Sequence, residues 1–293
     1  MSYRVTLPCS REQAEALTGA QDQFPESSNP PVLVADEPDA SRPDEWLLHA
    51  YFDHEPGARE IALLAGLGNG PPRVDELGEE DWVWMSQAGL EPIRAGRFTV
   101  HTPTYPPEPD RINFEIDAGL AFGTGQHATT SGCLAALDRL EQAGKRFANI
   151  ADIGTGTGIL AFAALVLWRD AKCLATDIDP VAIEVARENA LINGVKLGHS
   201  PGELLLGTAD GMESPLLAAR APFDLIIANI LAGPLIELAP AFASALEKGG
   251  MIVLAGLLDT QANAVAHAYR RQGLEISDPG IGEWPVLVCE RPS

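Results

Sequence analysis

The residues whose types and spacing best suit chemistry occupy positions 152–158, where an aspartate is followed by glycines at every second position. An apolar run at residues 150–153 leads into them, and a helix-forming run starts at Ile159. The pattern predicts a strand, a glycine turn and a helix. Open α/β sheets bind ligands at the carboxyl ends of their strands, and glycine lets a ligand approach the main chain. We therefore expect a ligand at this turn; the alternative is a tight turn that binds nothing.

The glycine spacing excludes the commonest nucleotide-binding patterns. The dinucleotide fingerprint is G-x-G-x-x-G, and its sixth position, counted from Gly154, is Ile159 here. The chain also has no G-K-S/T phosphate loop. Asp177 closes the next apolar run, 19 positions after Gly158, and a carboxylate there can accept both hydroxyls of a ribose. A nucleoside ligand without pyrophosphate fits this combination, and S-adenosylmethionine is the ligand we predict.

Composition narrows the possible classes of protein. The chain has 293 residues, 46% of them hydrophobic, and no apolar run of the length that a membrane span needs. The start of the chain lacks the pattern of a secretory signal, so we expect a cytoplasmic protein. The four cysteines are scattered without metal-ligand spacing, so neither a metal site nor a disulfide framework is expected.

The net charge of −21 argues against direct binding to nucleic acid, which needs clustered lysine and arginine. Residues 1–95 contain 18 acidic residues, six arginines and no lysine, and so carry a net charge of −12. An acidic surface favours basic partners. Residues 1–95 are therefore the candidate for docking a basic macromolecule; the alternative is an acidic surface that serves only solubility.

Patterning divides the chain into three parts. Residues 1–95 alternate strand and helix patterns, which predicts a small α+β domain. Residues 96–111 contain four prolines and are predicted to form a linker. Residues 112–293 alternate strands with helices and end in two strands with no helix between them. They predict an α/β fold with a doubly wound, mostly parallel seven-stranded sheet and an antiparallel edge, as in class I methyltransferases.

Three further positions at predicted strand ends could contribute to a site. Asn229 closes the apolar run at residues 225–228, where a polar amide is not expected for packing alone, and it would face a transferable methyl group. Asp210 could accept the amino group of an adenine, or it could be a solvated loop acid. A glycine-bearing loop at residues 117–130 precedes the nucleotide part and is expected to cover a ligand; its His127 is more often a cap or surface residue than a catalyst.

Four linked segments resemble the PrmA family, which methylates ribosomal large-subunit protein eleven. They are DAGLAFGTGQHATT, DIGTGTGILAFAA, DIDPVAIEVARENALING and NILAGPLIELAP, in that order. The resemblance is strong over residues 112–293 and weaker over the first 95. It implies an N-terminal domain that recognises the ribosomal protein, a linker, and a catalytic domain that binds S-adenosylmethionine. Departures from the family pattern at Gln126, Ala128 and Ala118 leave the detailed role of the first loop open.

The motifs and the resemblance together define the predicted site. Asn229 is predicted to orient the amine or the cofactor, since an amide cannot take a proton. The loop around Phe122 to Gly125 is predicted to close over the cofactor. The predicted cofactor-binding residues are Phe122, Gly123, Thr124, Thr130, Asp152, Gly154, Gly156, Gly158, Asp177 and Asn229.

The predicted reaction is methyl transfer from S-adenosylmethionine to lysine ε-amino or N-terminal α-amino groups of a basic ribosomal protein, by a monomer that binds neither nucleic acid nor membrane. One alternative is a methyltransferase of another protein or of a small molecule. A glutamine methylase would be expected to carry Asn-Pro-Pro-Tyr where this chain has Asn229 followed by Ile-Leu-Ala. A second alternative, of a different class, is a cofactor-binding adaptor without turnover.

Overall fold

The computed structural model describes residues 2–10, 13, 31–36, 46–52, 54–77, 92–116 and 126–293. The chain forms two compact units, Met1–Ser86 and Gln87–Ser293. Over the described ranges, no helix is both long and apolar enough to cross a membrane.

The first unit contains a four-stranded antiparallel sheet. Its strands are β1 (Ser2–Cys9), β2 (Val32–Asp36), β3 (Trp46–Phe52) and β4 (Arg73–Leu77), in the order β2-β3-β1-β4, and helix α1 spans Ala58–Ala65. Alternate side chains of β1 are buried with Leu48, Phe52 and Leu64 in a small core, as the period of two in a strand requires.

A reciprocal pair of hydrogen bonds follows β1 in this unit. Ser10 and Gln13 bond reciprocally: the Gln13 backbone N–H donates to Ser10 Oγ at 3.2 Å, and the Ser10 N–H donates to Gln13 Oε1 at 2.8 Å. This reciprocal pair has the form of a capping box.

The stretch expected to be a linker, residues 96–111, instead belongs to the second unit. Strands β5 (Ile93–Ala95), β6 (Phe98–His101) and β7 (Ile112–Glu115) form a three-stranded sheet in that order. Phe98 stacks on Phe114 with a centroid distance of 5.9 Å, and both are buried in the core of the unit. The prolines are confined to the connection between β6 and β7. The prolines therefore lie in a connection between two paired strands and not in a spacer between domains.

The second unit is built on a seven-stranded sheet in the order β10-β9-β8-β11-β12-β14-β13, in which β14 runs antiparallel to both of its neighbours. This confirms the predicted fold, including the antiparallel edge. The strands are β8 (Asn149–Ile153), β9 (Lys172–Asp177), β10 (Leu204–Thr208), β11 (Phe223–Asn229), β12 (Leu246–Ala255), β13 (Glu275–Asp278) and β14 (Leu287–Glu290). The helices are α2 (Gln126–Gln142), α3 (Ile159–Leu167), α4 (Pro180–Ile192), α5 (Pro215–Arg220), α6 (Ala232–Ala245) and α7 (Asp259–Arg271).

Both faces of the sheet are covered. Side chains of β8 alternate between the two cores: Ile150 packs with α2 and α3, and Ala151 packs with α6 and α7. Strand order runs outward from β8 to β10 in one direction and from β11 to β12 in the other. The carboxyl ends of β8 and β11 therefore form the switch point, where doubly wound sheets open a crevice for ligands.

A buried carboxylate fastens the β5–β6 turn to α2. Asp138 of α2 accepts hydrogen bonds from the Arg97 backbone N–H at 3.1 Å and from Arg97 Nε at 2.6 Å. The Asp138 side chain is 3% exposed, whereas that of Arg97 is 46% exposed. Arg97 also bonds Glu141 at 2.8 Å.

Replacing Asp138 with alanine is expected to lower the free energy of unfolding by about 2 kcal/mol, since its hydrogen bonds from the Arg97 N–H, Arg97 Nε and Gln142 Nε2 are lost while Arg97 keeps access to water. Urea unfolding measures this loss. The control is Glu141→Ala, which breaks only the more exposed ion pairs of Glu141 with Arg97 and Arg146 and should cost less than about 1 kcal/mol. Equal losses in the two variants would contradict the anchoring role of Asp138.

Candidate active site

A cavity of about 860 Å³ opens at the switch point of the sheet. The segments that line it follow β8, β9, β10, β11 and β12, and they are joined by the first turns of α2 and α6. Among its described lining residues, three are acidic and none is lysine, arginine or histidine. The cavity therefore presents a negative surface, which suits a positively charged ligand.

The predicted glycine turn forms one wall of this cavity. Gly154 and Gly156 have φ values of 72° and 54°, in the region that favours glycine. The N–H groups of Gly154 and Thr155 donate to the Thr176 carbonyl at 2.8 and 2.9 Å, which ties the turn to the end of β9. A Cβ at Gly154 would collide with Ile230, whereas a Cβ at Gly156 would meet nothing within 4 Å. Gly156 thus presents open backbone to the cavity.

Asp177 lies at the end of β9 and holds the glycine turn in place. Its Oδ2 accepts from the Gly156 N–H at 2.9 Å, and its Oδ1 accepts from the Asp179 N–H at 3.0 Å. Each carboxylate oxygen has a second lone pair. Asp177 can therefore keep both backbone bonds and still accept two hydroxyl groups from a ligand in the cavity.

Two predicted residues that lie 99 positions apart in sequence meet on the opposite side of the turn. Asn229 ends β11, and Thr130 lies in the first turn of α2, where it is 6% exposed. Asn229 Nδ2 and Thr130 Oγ1 are 3.4 Å apart, at the long end of hydrogen-bond distances. This contact leaves the Asn229 carbonyl oxygen free to accept a bond from a ligand.

Asp152 was predicted to contact the cofactor, but its side chain does not line the cavity. It lies on the same side of β8 as Ile150, two residues earlier, and is 1% exposed in the layer under α3. Its Oδ2 accepts from Thr155 Oγ1 at 2.6 Å, while its Oδ1 has no hydrogen-bond partner. Asp152 therefore supports the glycine turn from behind, because the alternation of the strand turns its side chain away from the ligand side.

Burial raises the pKa of the Asp152 carboxyl to about 7. The negative charge of Asp177 adds to this rise, and the Thr155 hydroxyl and the Ala161 N–H oppose it. A carboxyl whose folded-state pKa is raised stabilises the fold at low pH, and this stabilisation is lost as the pH rises through the folded-state value.

Replacing Asp152 with asparagine is expected to make the protein more stable at pH 8, by as much as about 4 kcal/mol, because the amide oxygen still accepts from Thr155 but carries no charge. The gain over the unsubstituted protein should be small near pH 4, should grow between about pH 4 and pH 7, and should level off above pH 7. Urea unfolding at a series of pH values, without ligand, measures this difference. A stability difference that does not change with pH would show that Asp152 is not the titrating group.

Several residues that line the cavity were not singled out in the sequence. Trp284 lies in the connection before β14 and reaches the cavity from the antiparallel edge of the sheet. Ile178, directly after Asp177, is 65% exposed although it is apolar, and Glu237 projects from the second turn of α6. Asp210, whose role was left open, also lines the cavity. The clearest signal in the sequence was Trp284 itself, a large aromatic residue set among turn-forming glycine and proline.

Some predictions lie outside the described residues. Phe122, Gly123 and Thr124 belong to this group, and the side chain of His127 does as well. The closure of their loop over a ligand therefore stays a prediction. Within the described ranges, no group of three or more His, Cys, Asp or Glu residues could hold a metal ion.

Comparisons with known proteins agree with this geometry. The family model of ribosomal protein L11 methyltransferase (PrmA) matches residues 6–292. Ribosomal protein L11 methyltransferase of Brucella suis is 41% identical over 273 residues, which cover 92% of this chain and 93% of that protein. The protein of the same name from Mesorhizobium japonicum is 41% identical over 270 residues, 91% of each chain.

A solved structure supports the same assignment. The ribosomal protein L11 methylase of Lactobacillus delbrueckii subsp. bulgaricus superposes with a TM-score of 0.58 at 28% identity, and the match covers 70% of this chain and 99% of that one. Since the family model spans nearly the whole sequence and the relatives are matched almost end to end, the chain belongs to the ribosomal protein L11 methyltransferase (PrmA) family.

Proposed function

We propose that this protein transfers methyl groups from S-adenosylmethionine to amino groups of ribosomal protein L11, at lysine ε-amino or N-terminal α-amino positions. The observation that carries the proposal is the cavity at the switch point, where the glycine turn, Asp177 and Asn229 meet in a chain of this family. The names of its relatives support L11 as the substrate.

The residues of the cavity fit S-adenosylmethionine. Gly156 leaves backbone open to a ligand, Asp177 has lone pairs for two ribose hydroxyls, and Asp210 lies where an adenine amino group could donate to it. The acidic lining favours a ligand that carries a sulfonium charge. When bound, the cofactor supplies a methyl group that is already activated for transfer.

The remaining task of the protein is to hold the amine in line with that methyl group, because positioning supplies much of the rate of such a transfer. Asn229 suits this role: its Nδ2 points at Thr130, so its carbonyl oxygen can accept an N–H of the amine. The amine must first lose its proton. A lysine pKa of about 10.4 is unfavourable for this, and desolvation by apolar cavity residues such as Leu231 and Ile230 would lower that pKa.

We assign partner recognition to the acidic residues 1–95, whose net charge of −12 suits a basic ribosomal protein. The protein is proposed to act in the cytoplasm as a monomer. Direct binding to nucleic acid is not part of the proposal, since the net charge of −21 repels it.

Incubation of the purified full chain with labelled S-adenosylmethionine and separated ribosomal proteins tests the proposal. Label on L11 alone is the expected result. Label on a different protein or on a small molecule would identify that molecule, and not L11, as the substrate. Cofactor binding without transfer to any of them would favour the adaptor alternative.

A further inference from the structure

Only some of the acidic residues of the cavity have an assigned contact with the proposed cofactor. The three are Asp177, Asp210 and Glu237. Asp177 ends β9 and is assigned to the ribose, and Asp210 follows β10 and is assigned to the adenine. Neither of these hydrogen-bonding assignments involves Glu237, so one carboxylate in the cavity is not used to bind the ribose or the adenine.

Glu237 comes from the part of the fold that carries Asn229. It projects from α6, the helix that directly follows β11 and Asn229. Strand order sets β11 on one side of β8 and sets β9 and β10 on the other. The helix also extends toward the other side, because Leu238, the next residue, packs against Gly211 after β10. Glu237 is therefore within reach of both halves of the cavity. The experiment below distinguishes a contact with the acceptor from a contact with the cofactor.

The surroundings of Glu237 favour a cation on an apolar stem. Glu237 is exposed, and within the described part of the chain its carboxylate makes no hydrogen bond or ion pair. Leu231, which is 73% exposed, lines the cavity with Pro234 and Trp284. A lysine side chain has four methylenes that can cover such apolar surface while its ammonium group pairs with a carboxylate. The cavity offers an incoming ammonium no competing cation among its described residues.

We propose that Glu237 is an acceptor-binding residue, which holds the protonated amine of a lysine side chain in the cavity beside Asn229 before that amine is methylated. This inference rests on the proposed function and adds to it the group that selects a cationic acceptor. Glu237 binds the amine in its charged form next to Asn229. The amine then loses its proton to solvent before methyl transfer.

The test compares steady-state kinetics of the full-length Glu237→Gln variant and the unsubstituted protein, with purified L11 as acceptor. Glutamine keeps the size of the side chain and removes its charge. The KM for L11 is expected to rise about tenfold, with kcat changed by less than about threefold, because a charge-assisted hydrogen bond at an accessible site is lost. Added salt should raise the KM of the unsubstituted protein more steeply than that of the variant.

Two further variants complete the design. Glu188→Gln removes one charge from an exposed position on α4 that does not line the cavity, and it should leave KM unchanged. Glu237→Asp keeps the charge and should recover part of the affinity for L11. The dissociation constant for S-adenosylmethionine, measured by calorimetry, should stay within about twofold in all three variants and shows that each is folded.

The outcomes separate this inference from the proposed function. An unsubstituted protein that does not methylate L11 overturns both. Activity on L11 with the same KM in Glu237→Gln overturns the role of Glu237 alone. A weaker cofactor affinity in Glu237→Gln with an unchanged KM for L11 overturns it in favour of a cofactor contact.

Discussion

Replacing Asp177 with alanine is expected to raise the dissociation constant for S-adenosylmethionine by about 100-fold, since two hydrogen bonds from ribose hydroxyls to a charged acceptor are lost. The same substitution releases the Gly156 N–H, which Asp177 holds at 2.9 Å, so the glycine turn loses its tie to β9 at this point. Both effects act on the cofactor and not on the amine. Calorimetric titration of the purified chain measures the change.

Asp179→Ala provides the matched control for this prediction. Asp179 caps α4 by accepting from the Val181 N–H at 2.8 Å, and it does not line the cavity. Its loss should cost about 1 kcal/mol of stability and leave the affinity for the cofactor within about threefold. An unaltered dissociation constant in Asp177→Ala would refute the ribose assignment, and an equal loss in both variants would reduce Asp177 to a local structural role.

Replacing Asn229 with alanine is expected to lower kcat about 100-fold while the dissociation constant for the cofactor changes by less than about threefold. The reason is that the amide is the polar group at the end of β11 that can orient an amine, with its nitrogen directed at Thr130 at 3.4 Å. Single-turnover transfer to L11 measures the chemical step separately from binding.

Thr130 supplies the control for Asn229. In Thr130→Ser the hydroxyl is kept, and in Thr130→Val it is replaced by a methyl group of similar size. If Thr130 orients the amide, the serine variant should stay close to the unsubstituted protein and the valine variant should lose about tenfold in kcat. Turnover unchanged in Asn229→Ala would end the proposed role of this residue.

The parts of the site that are local in sequence could be predicted, and those that depend on sheet order could not. The strand, glycine turn and helix around residues 150–165 are encoded by neighbouring residues, and Asp177 ends the next strand. Trp284 follows Asn229 by 55 positions and reaches the cavity only because β14 pairs with β12. Glu237 occurs in an ordinary helical pattern, and nothing in the residues beside it indicates that it faces a cavity.

Two predictions were wrong for identifiable physical reasons. Asp152 belongs to the glycine motif, but an acid next to a ligand-binding turn can point to either face of its strand, and here it points into the packed layer. Residues 96–111 are rich in proline, which predicts a stiff linker, yet the strand β6 within them pairs with both β5 and β7. The two strands that pair with β6 lie outside residues 96–111, so the proline content of that stretch does not reveal the pairing.

The most direct test of the central claim is intact-mass measurement of purified L11 after incubation with the full-length protein and S-adenosylmethionine. We expect the mass of L11 to increase in steps of one methyl group, with peptide mapping placing each step on a lysine or on the N-terminal amine, and we expect Asn229→Ala to slow every step. L11 that keeps its original mass, in the presence of a chain that binds S-adenosylmethionine with normal affinity, would contradict the account.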